Sequence, residues 1–393
     1  MTTRHAVISG ASIAGLSAAF WLRRTGWEVT VLERAAAFRD GGQNVDVRGV
    51  GREVLARMGL TDAVKAQNTT ETGTVFVDAA GRVLGELPSG GPDGATAELE
   101  VLRGDFARTI LEHLPDGVEI GYGDSITEVA EDATAVAVTT ASGRVLHADL
   151  LVVAEGVRSS TRDRLFGDRV ERRDLGIAMV FGTIPRVDGD DDRWRWYTAA
   201  GGRQVHLRPD NHGTTRAILS FSRAEDLTRL DRADALSRVH ARFAGVGWEA
   251  PRVLDAFDTA EDVYIDNLTQ IRLPVWHRGR VCLAGDAAWC VTPMGGGGAS
   301  LALVSGYVLA ASLATDSLEP ALTAYEEWMR PLVEDVQALP RWIVPFAYPR
   351  TRWGLGLRRV ADKVLTSRPF APVVAKVTSV AATERPLPHL VVT

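Results

Sequence analysis

The chain has 393 residues, enough for two or three domains whose cores need no disulfide or metal support. Its 50 acidic and 44 basic side chains leave a net charge of −6 with no lysine- or arginine-rich run, which argues against a nucleic-acid partner. Two cysteines, Cys282 and Cys290, fit neither a redox dithiol nor a zinc motif, and the eight histidines show no metal-ligand spacing, so no metal is expected.

At the amino end, Arg4 and His5 lead directly into an apolar stretch without a signal-peptide pattern, and a cytoplasmic location is expected. Ala6-Val7-Ile8-Ser9 reads as a short buried strand. It is followed by the turn Gly10-Ala11-Ser12-Ile13-Ala14-Gly15 and an apolar helical run to about Gly26. Strand, turn and helix in this order suit a dinucleotide pyrophosphate. Gly10 permits the tight turn and Gly15 permits close packing of helix on strand. Ser12 stands where a middle glycine is usual, and still admits the phosphates if its side chain points away. A second strand, residues 28–32, ends in Glu33, whose carboxylate can take both ribose hydroxyls of an adenosine. Arg34 beside it can be read as a 2′-phosphate binder; the acid argues for FAD or NAD over NADP at this position.

Residues 73–87 form two alternating stretches split by Ala80-Gly81, a hairpin signal, and residues 125–148 form three more, consistent with an antiparallel meander. Between residues 175 and 273 the pattern changes: alternating strands are expected at 177–185, 193–198, 204–208, 214–221 and 263–272, with a helix near 233–243. Such a sheet packs one face and leaves the other free to roof a pocket. Phe181, Trp196, His206, Arg216 and Ile218 are its candidate substrate contacts. The competing reading makes His206 a hydrogen-bonded structural residue and puts Arg216 on the solvent face.

The stretch 280–300, RVCLAGDAAWCVTPMGGGGAS, is the most informative. A strand ends at Ala284, and Gly285-Asp286 places a carboxylate where it can accept hydroxyls. Gly295, Gly296, Gly297 and Gly298 then expose bare amides at the start of a helix, an arrangement suited to an anionic flavin ring. Pro293 and Met294 would form part of the wall beside that ring. Residues 287–315 carry no charge, but Pro293 and the glycines break the run, so the remainder reads as a helix buried in protein and no membrane contact is expected. Beyond prolines 340, 345 and 349, a basic helix is expected from about 352 to 365.

These places together resemble the class A flavoprotein aromatic hydroxylases, the family with the para-hydroxybenzoate hydroxylase fold. The resemblance extends to Arg103 in VLRGDFARTIL, to Asp149–Arg162 with its Glu155-Gly156 pair, and to Gly285-Asp286 with Pro293. The segment Gly41–Arg48 looks most like the short-tailed subgroup that includes the tetracycline-inactivating monooxygenases. By that resemblance Gly42, Arg103, Glu155 and Gly156 join the cofactor residues, while Arg48 either faces the flavin or begins the next helix. Two departures stand out: the family's Asp-Gly pair is Glu155-Gly156, and Trp289 replaces the usual histidine. Trp289 either shapes the flavin and substrate cavity or merely packs.

The implied fold is α/β: a Rossmann-like FAD-binding domain with an inserted antiparallel-sheet substrate domain and C-terminal helices. The expected division is 1–174 (with 73–97 contributing to the substrate side), 175–272 for substrate, 273–340 completing the FAD domain, and 341–393 as a C-terminal helical segment. The implied activity is an FAD-dependent monooxygenase that consumes NADPH or NADH. It inserts one oxygen from O2 into an aromatic or polyketide-like molecule through a flavin carbon-4a hydroperoxide, in specialised metabolism or antibiotic modification. In this scheme the cofactor carries the chemistry, the protein needs no nucleophile triad, and the chain is a monomer or weak homodimer. The alternatives are a flavin-dependent halogenase, echoed by Trp194-Arg195-Trp196 with Lys65 as its lysine, a reductase of the same fold, and a flavoprotein that sequesters an aromatic metabolite.

Overall fold

The structure is a computed structural model that describes residues 3–88, 99–223, 225–366, 385–390 and 392. Parts of two expected segments, 89–97 and 367–384, lie outside the described residues.

The chain opens with β1 (His5–Ser9), α1 (Ile13–Arg24) and β2 (Glu28–Glu33), a right-handed unit whose strands run parallel with Val7 opposite Thr30. The six-stranded sheet reads, in order, β17 (His277–Arg278), β18 (Val281–Leu283), β11 (Leu150–Val153), β1, β2 and β7 (Val118–Tyr122). All its pairings are parallel except β17 with β18. Its central strands are continuous apolar runs, as burial on both faces requires. Strand β7 was not anticipated from the sequence, because Val-Glu-Ile-Gly-Tyr is short, half-exposed and at the sheet edge.

Strands β3 (Asn44–Asp46) and β6 (Glu100–Leu102) pair antiparallel, and between them in the chain lie α2 (Val50–Met58), α3 (Thr61–Ala66) and the hairpin β4 (Gly73–Val77) with β5 (Val83–Pro88). Helix α4 (Arg103–Glu112) follows. The three stretches expected at 125–148 are the meander β8 (Ile126–Glu131), β9 (Val136–Thr140) and β10 (Val145–Ala148), and α5 (Ser160–Phe166) comes after β11.

The second sheet has seven strands in the order β16 (Tyr264–Arg272), β12 (Glu171–Pro185), β15 (Thr214–Ser222), β14 (Arg203–Pro209), β13 (Trp194–Ala199), β4 and β5. Only the β13–β4 pairing is parallel, so the 73–87 hairpin extends this sheet. Strand β12 starts six residues before the alternating stretch, and a register shift between Asp174 and Ala178 separates the two halves. One face, with Val180, Val205 and Leu219, packs against α6 (Arg232–Phe243) and α7 (Ala250–Thr259). The other face carries Ile177, Met179, Phe181 and Ile218 in a cluster with Tyr348, Met294 and Val344.

After β18 come α8 (Asp286–Trp289), α9 (Gly298–Thr315) and α10 (Leu318–Gln337), then α11 (Ile343–Ala347) and α12 (Arg352–Leu365). Helix α9 is long and apolar enough to cross a membrane by length and composition, but most of it is buried, packed between α1 and α10. Ser17 Oγ on α1 donates to the Leu303 carbonyl of α9 at 2.6 Å.

Candidate active site

The adenylate end is built where β1 meets α1. Gly10 has a φ of 109°, and a Cβ there would lie 2.4 Å from the Ala154 carbonyl oxygen of β11's exit, so only glycine fits the turn. Gly15 packs directly on the Gly10 carbonyl, and Ile13 and Ala14 are buried in the first turn. Ser12 is the N-cap of α1, but its hydroxyl makes no cap bond; it accepts from Arg103 Nη2 at 2.9 Å. The first-turn amides of α1 therefore remain open to an anion. Glu33, at the end of β2, accepts from the amides of Ala11 and Ala35, both at 2.9 Å. Its carboxylate thus sits beside the turn, while Arg34 is exposed.

The ring end is built where β18 runs into α8 and α9. Gly285 has a φ of 58°, and a Cβ there would lie 2.7 Å from Ala14 Cβ, so the two anchors are in contact. Gly297 caps α9 in the left-handed conformation and Gly298 begins the helix. The amides of this first turn have no partner within the helix and sit at its positive end. Arg48 lies immediately behind: its amide donates to Ser300 Oγ at 2.9 Å, and its guanidinium pairs with Asp46 at 3.0 Å. Arg48 precedes α2 rather than starting it; its backbone is tied to Ser300 at the base of the glycine turn, and its side chain is buried against Asp46.

One residue of this turn escaped the sequence reading. Thr292 adopts a φ of 66°, and its buried hydroxyl has no partner. A β-branched residue in the left-handed region is strained by about 1–3 kcal/mol, strain of the kind that collects at functional sites. Nothing local to Val291-Thr292-Pro293 signals it.

Between the anchors lies a charged cleft. Arg103, at the start of α4, lies against Gly42, where a Cβ would approach Arg103 Cβ to 2.9 Å. Asp286 is accessible but has protein packed around it. That packing raises its carboxyl above the ordinary range, Arg103 opposes the rise and Asp266 adds to it. Asp266 is itself raised by burial, countered by Arg158 at 3.3 Å. Arg103, from the start of α4, and Asp266, from β16, therefore both act electrostatically on Asp286.

The second sheet supplies the far wall. In register, Phe76, Trp196, His206, Ile218, Phe181 and Tyr264 form one cross-strand row over six strands. Four of the five substrate candidates fall in it. Phe181 and Ile218 share a cluster with Met294 of the glycine turn, so the second sheet and that turn meet there. Tyr264 stacks on Phe181 with centroids 4.8 Å apart and remains 41% exposed. Tyr264 and Asp266 were missed although strand 263–272 was expected; the alternation that aims both at the cleft was the available signal.

The family described as "FAD binding domain" matches residues 3–337. The FAD-dependent monooxygenase asL4 of Sarocladium schorii is 32% identical over 393 residues, covering 91% of each chain. This chain belongs to the FAD-dependent monooxygenases. The flavin-dependent monooxygenase eupH of a Phoma species is a further relative, 32% identical over 389 residues with 90% of each covered. Among solved structures, tetracycline destructase Tet(55) superposes with a TM-score of 0.82 at 27% identity over 99% of each chain.

Within this monooxygenase several sequence expectations need correction. Trp289 does not line the cavity; it is buried in the core, 4.4 Å from Trp276 and 6.3 Å from Tyr325 between ring centroids. Glu155 is turned into its own loop, where Ser9, Ser159 and Thr161 hydroxyls each donate at 2.7 Å and the Thr161 amide at 3.1 Å. The extra methylene lets the carboxylate staple β1 to α5, and neighbouring Gly156 is left open with a φ of 78°. Arg216 is neutralised by Asp210 at 2.9 Å and donates to Thr183 at 2.6 Å. It is neither on the solvent face nor offered to a ligand.

His206 shares the row but is not an available base. Its ring is buried between Trp194 Nε1, which donates to Nδ1 at 3.2 Å, and Gln204 Oε1, 3.2 Å from Nε2. Burial, reinforced by Arg208 and Arg358, pushes its pKa down to about 3, so the imidazole is neutral. Trp196 stacks on Trp194 at 5.2 Å and keeps a buried Nε1 with no acceptor. Lys65 lies exposed on α3, not on the flavin-facing sheet that a halogen carrier would need.

A second unanticipated feature is a buried seam joining β14, β6 and the loop before β4. Arg208 bridges Glu71 at 2.8 Å and Glu100 at 2.9 Å, and its guanidinium lies 4.1 Å over the Trp194 ring. Burial pushes the Glu71 carboxyl up to about 8, Arg208 opposing and Glu100 reinforcing the shift. One guanidinium between two enclosed carboxyls leaves room for one proton on the pair.

Proposed function

We propose that this monooxygenase transfers one atom of O2 to an electron-rich aromatic or enolic molecule of polyketide type, with NADH or NADPH as electron donor, in specialised metabolism or antibiotic modification. The observation that carries the reading is the largely aromatic and apolar row from Phe76 to Tyr264, of which Phe181 and Ile218 share a cluster with Met294 of the glycine turn. Flat, apolar substrates are held by such a wall with few polar contacts. The similarity to a tetracycline destructase supports a multi-ring molecule.

The residues present fit FAD. The Gly10 turn and open α1 amides suit the pyrophosphate, Glu33 the adenosine ribose, Arg103 the phosphates or ribityl chain, and Asp286 the ribityl hydroxyls. The α9 amino terminus suits negative charge on the pyrimidine edge of a reduced ring. When bound, FAD supplies electron transfer and activation of O2. The protein's own part is to orient the substrate face-on through Phe181, Ile218 and Tyr264, and to exclude water with the apolar cluster around Met294.

The test is a screen of multi-ring phenols and enols against the FAD-loaded protein, following NAD(P)H oxidation and incorporation of label from isotopic O2. Substrate-stimulated oxidation with label in the product is expected. Product formed without label would overturn the oxygen-transfer reading, and a stable FAD complex that no candidate stimulates would favour a sequestering role.

A further inference from the structure

At the end of strands β13 to β15 lies a cavity of about 460 Å³ with an apolar wall of Phe221 and Leu227 and a rim of Arg223, Glu225, Arg238, Arg242 and Arg350. It lies where the β13–β14 hairpin meets the chain leading into α12: the amides of Gly201 and Gly202 donate to the carbonyls of Arg350 and Pro349.

Its charge is not balanced from within. Arg223 pairs with Asp174, and Arg238 has Glu225 at 3.8 Å. Among the described residues, Arg203, behind the rim, donates to the carbonyls of Ala200 and Arg242, and Arg242 to those of Gly201 and Ser222, with no carboxylate partner for either. Arg350 is exposed and has no carboxylate partner among the described residues. Five guanidinium groups thus face two carboxylates. The crowding is felt by Arg242, whose pKa is lowered by burial and then by Arg203 and Arg350. Moreover, Nε of Arg223 and Nε of Arg242 are both buried without an acceptor. A buried donor left unmade costs about 1–3 kcal/mol. Two such donors and an uncompensated triad of cations in one concave site describe a receptor for an anion.

We propose that this cavity binds an organic phosphate of nucleotide size, its phosphate held between Arg242 and Arg350 and its body against Phe221 and Leu227. Planar guanidinium forks match phosphate oxygens, and the volume lies in the range of small-molecule sites. A concave, half-open and partly apolar pocket rather than a flat basic stripe suits a small ligand better than nucleic acid. The same chemistry comes from two sources, the phosphorylated adenosine half of the dinucleotide reductant or a separate nucleotide that clamps the C-terminal segment to the sheet.

The experiment is calorimetric titration of the FAD-saturated protein, whose adenylate site is already filled, with ADP, pyrophosphate and NADPH at low ionic strength. ADP or NADPH should bind at a single site beyond the flavin, and Arg350→Glu, at an exposed position, should weaken it by at least about tenfold with the melting temperature unchanged. Arg242→Gln should do the same; if it fails to fold, Arg238→Glu takes its place. If Arg350→Glu raises KM for NADPH with kcat unchanged, the ligand is the reductant; if it abolishes ADP binding while KM holds, the ligand is a separate nucleotide. No saturable binding of ADP or NADPH, or affinities unchanged in Arg350→Glu, overturns the proposal. The readout is binding, so it stands or falls independently of whether an oxygenation substrate is found.

Discussion

Gly285 and Ala14 touch although 271 positions separate them: a Cβ on Gly285 would come within 2.7 Å of the Ala14 methyl. The turn that cradles the ring end and the turn that receives the pyrophosphate are therefore one surface. Replacing Gly285 by valine adds a β-branched side chain at a φ of 58° and drives it into α1. A loss of about 2–4 kcal/mol in stability is expected, together with at least about tenfold weaker FAD binding. Thermal melts and fluorescence titration with FAD would check both.

Arg103 is exposed and holds Ser12 and Asp286 by charge and hydrogen bonding rather than by packing. Arg103→Leu should leave the stability of the apoprotein within about 0.5 kcal/mol of wild type while weakening FAD by roughly tenfold to a hundredfold. Equal loss of stability and affinity would mean that Arg103 is a structural residue only.

Much of this arrangement was legible because it rests on local chemistry. Gly10, Glu33 and the Gly285–Gly298 turn are written in residue types that few other geometries need, and strand alternation put Phe181, Trp196, His206 and Ile218 on one face. What alternation could not show is who pairs with whom. Arg216 and His206 are on the expected face, yet Asp210, from a turn, Gln204, two residues away on the same strand, and Trp194, from the neighbouring strand, satisfy them first. The sequence left Trp289 undecided between cavity and core for a similar reason, since its partners Trp276 and Tyr325 come from other segments. The Arg208 seam joins β6, β14 and the 67–72 loop, and no window of sequence contains it.

Trp289 gives a direct check on that correction. Trp289→Ala should cost about 3–5 kcal/mol through the cavity it leaves, while Trp289→Phe, which keeps most of the volume, should leave KM for substrate within about twofold of wild type. A large KM change with unaltered stability in Trp289→Phe would return this residue to the substrate cavity.

Tyr264 should behave in the opposite way. It is partly exposed and contributes a stack on Phe181, so Tyr264→Ala should cost only about 0.5–1.5 kcal/mol in stability. Its effect should fall on KM and on the yield of oxygenated product per NAD(P)H consumed, measured by paired product and cofactor assays. Unchanged KM and coupling would remove Tyr264 from the wall.

The Glu71–Arg208–Glu100 seam makes stability depend on pH. Glu71 is raised from 4.5 to about 8 in the folded chain, so between those values the native state keeps a proton that the unfolded state has lost. Its contribution is therefore full below 4.5 and fades as pH rises through about 8. His206 works in the other direction: depressed from 6.5 to about 3, it contributes fully above 6.5 and progressively less as pH falls towards 3. Melting temperatures across this range should fall on the alkaline side in wild type, and Glu71→Gln should flatten that slope. An unchanged slope in Glu71→Gln would place the proton elsewhere.

The central claim is that two distant segments form one FAD site, and titration of the purified apoprotein with FAD, read by flavin absorbance and fluorescence quenching, tests it most directly. Saturation at one flavin per chain is predicted, with binding weakened both by Arg103→Leu at the adenylate side and by Gly298→Val at the ring side. A colourless protein that takes up no FAD, or one whose flavin affinity ignores either substitution, would contradict it.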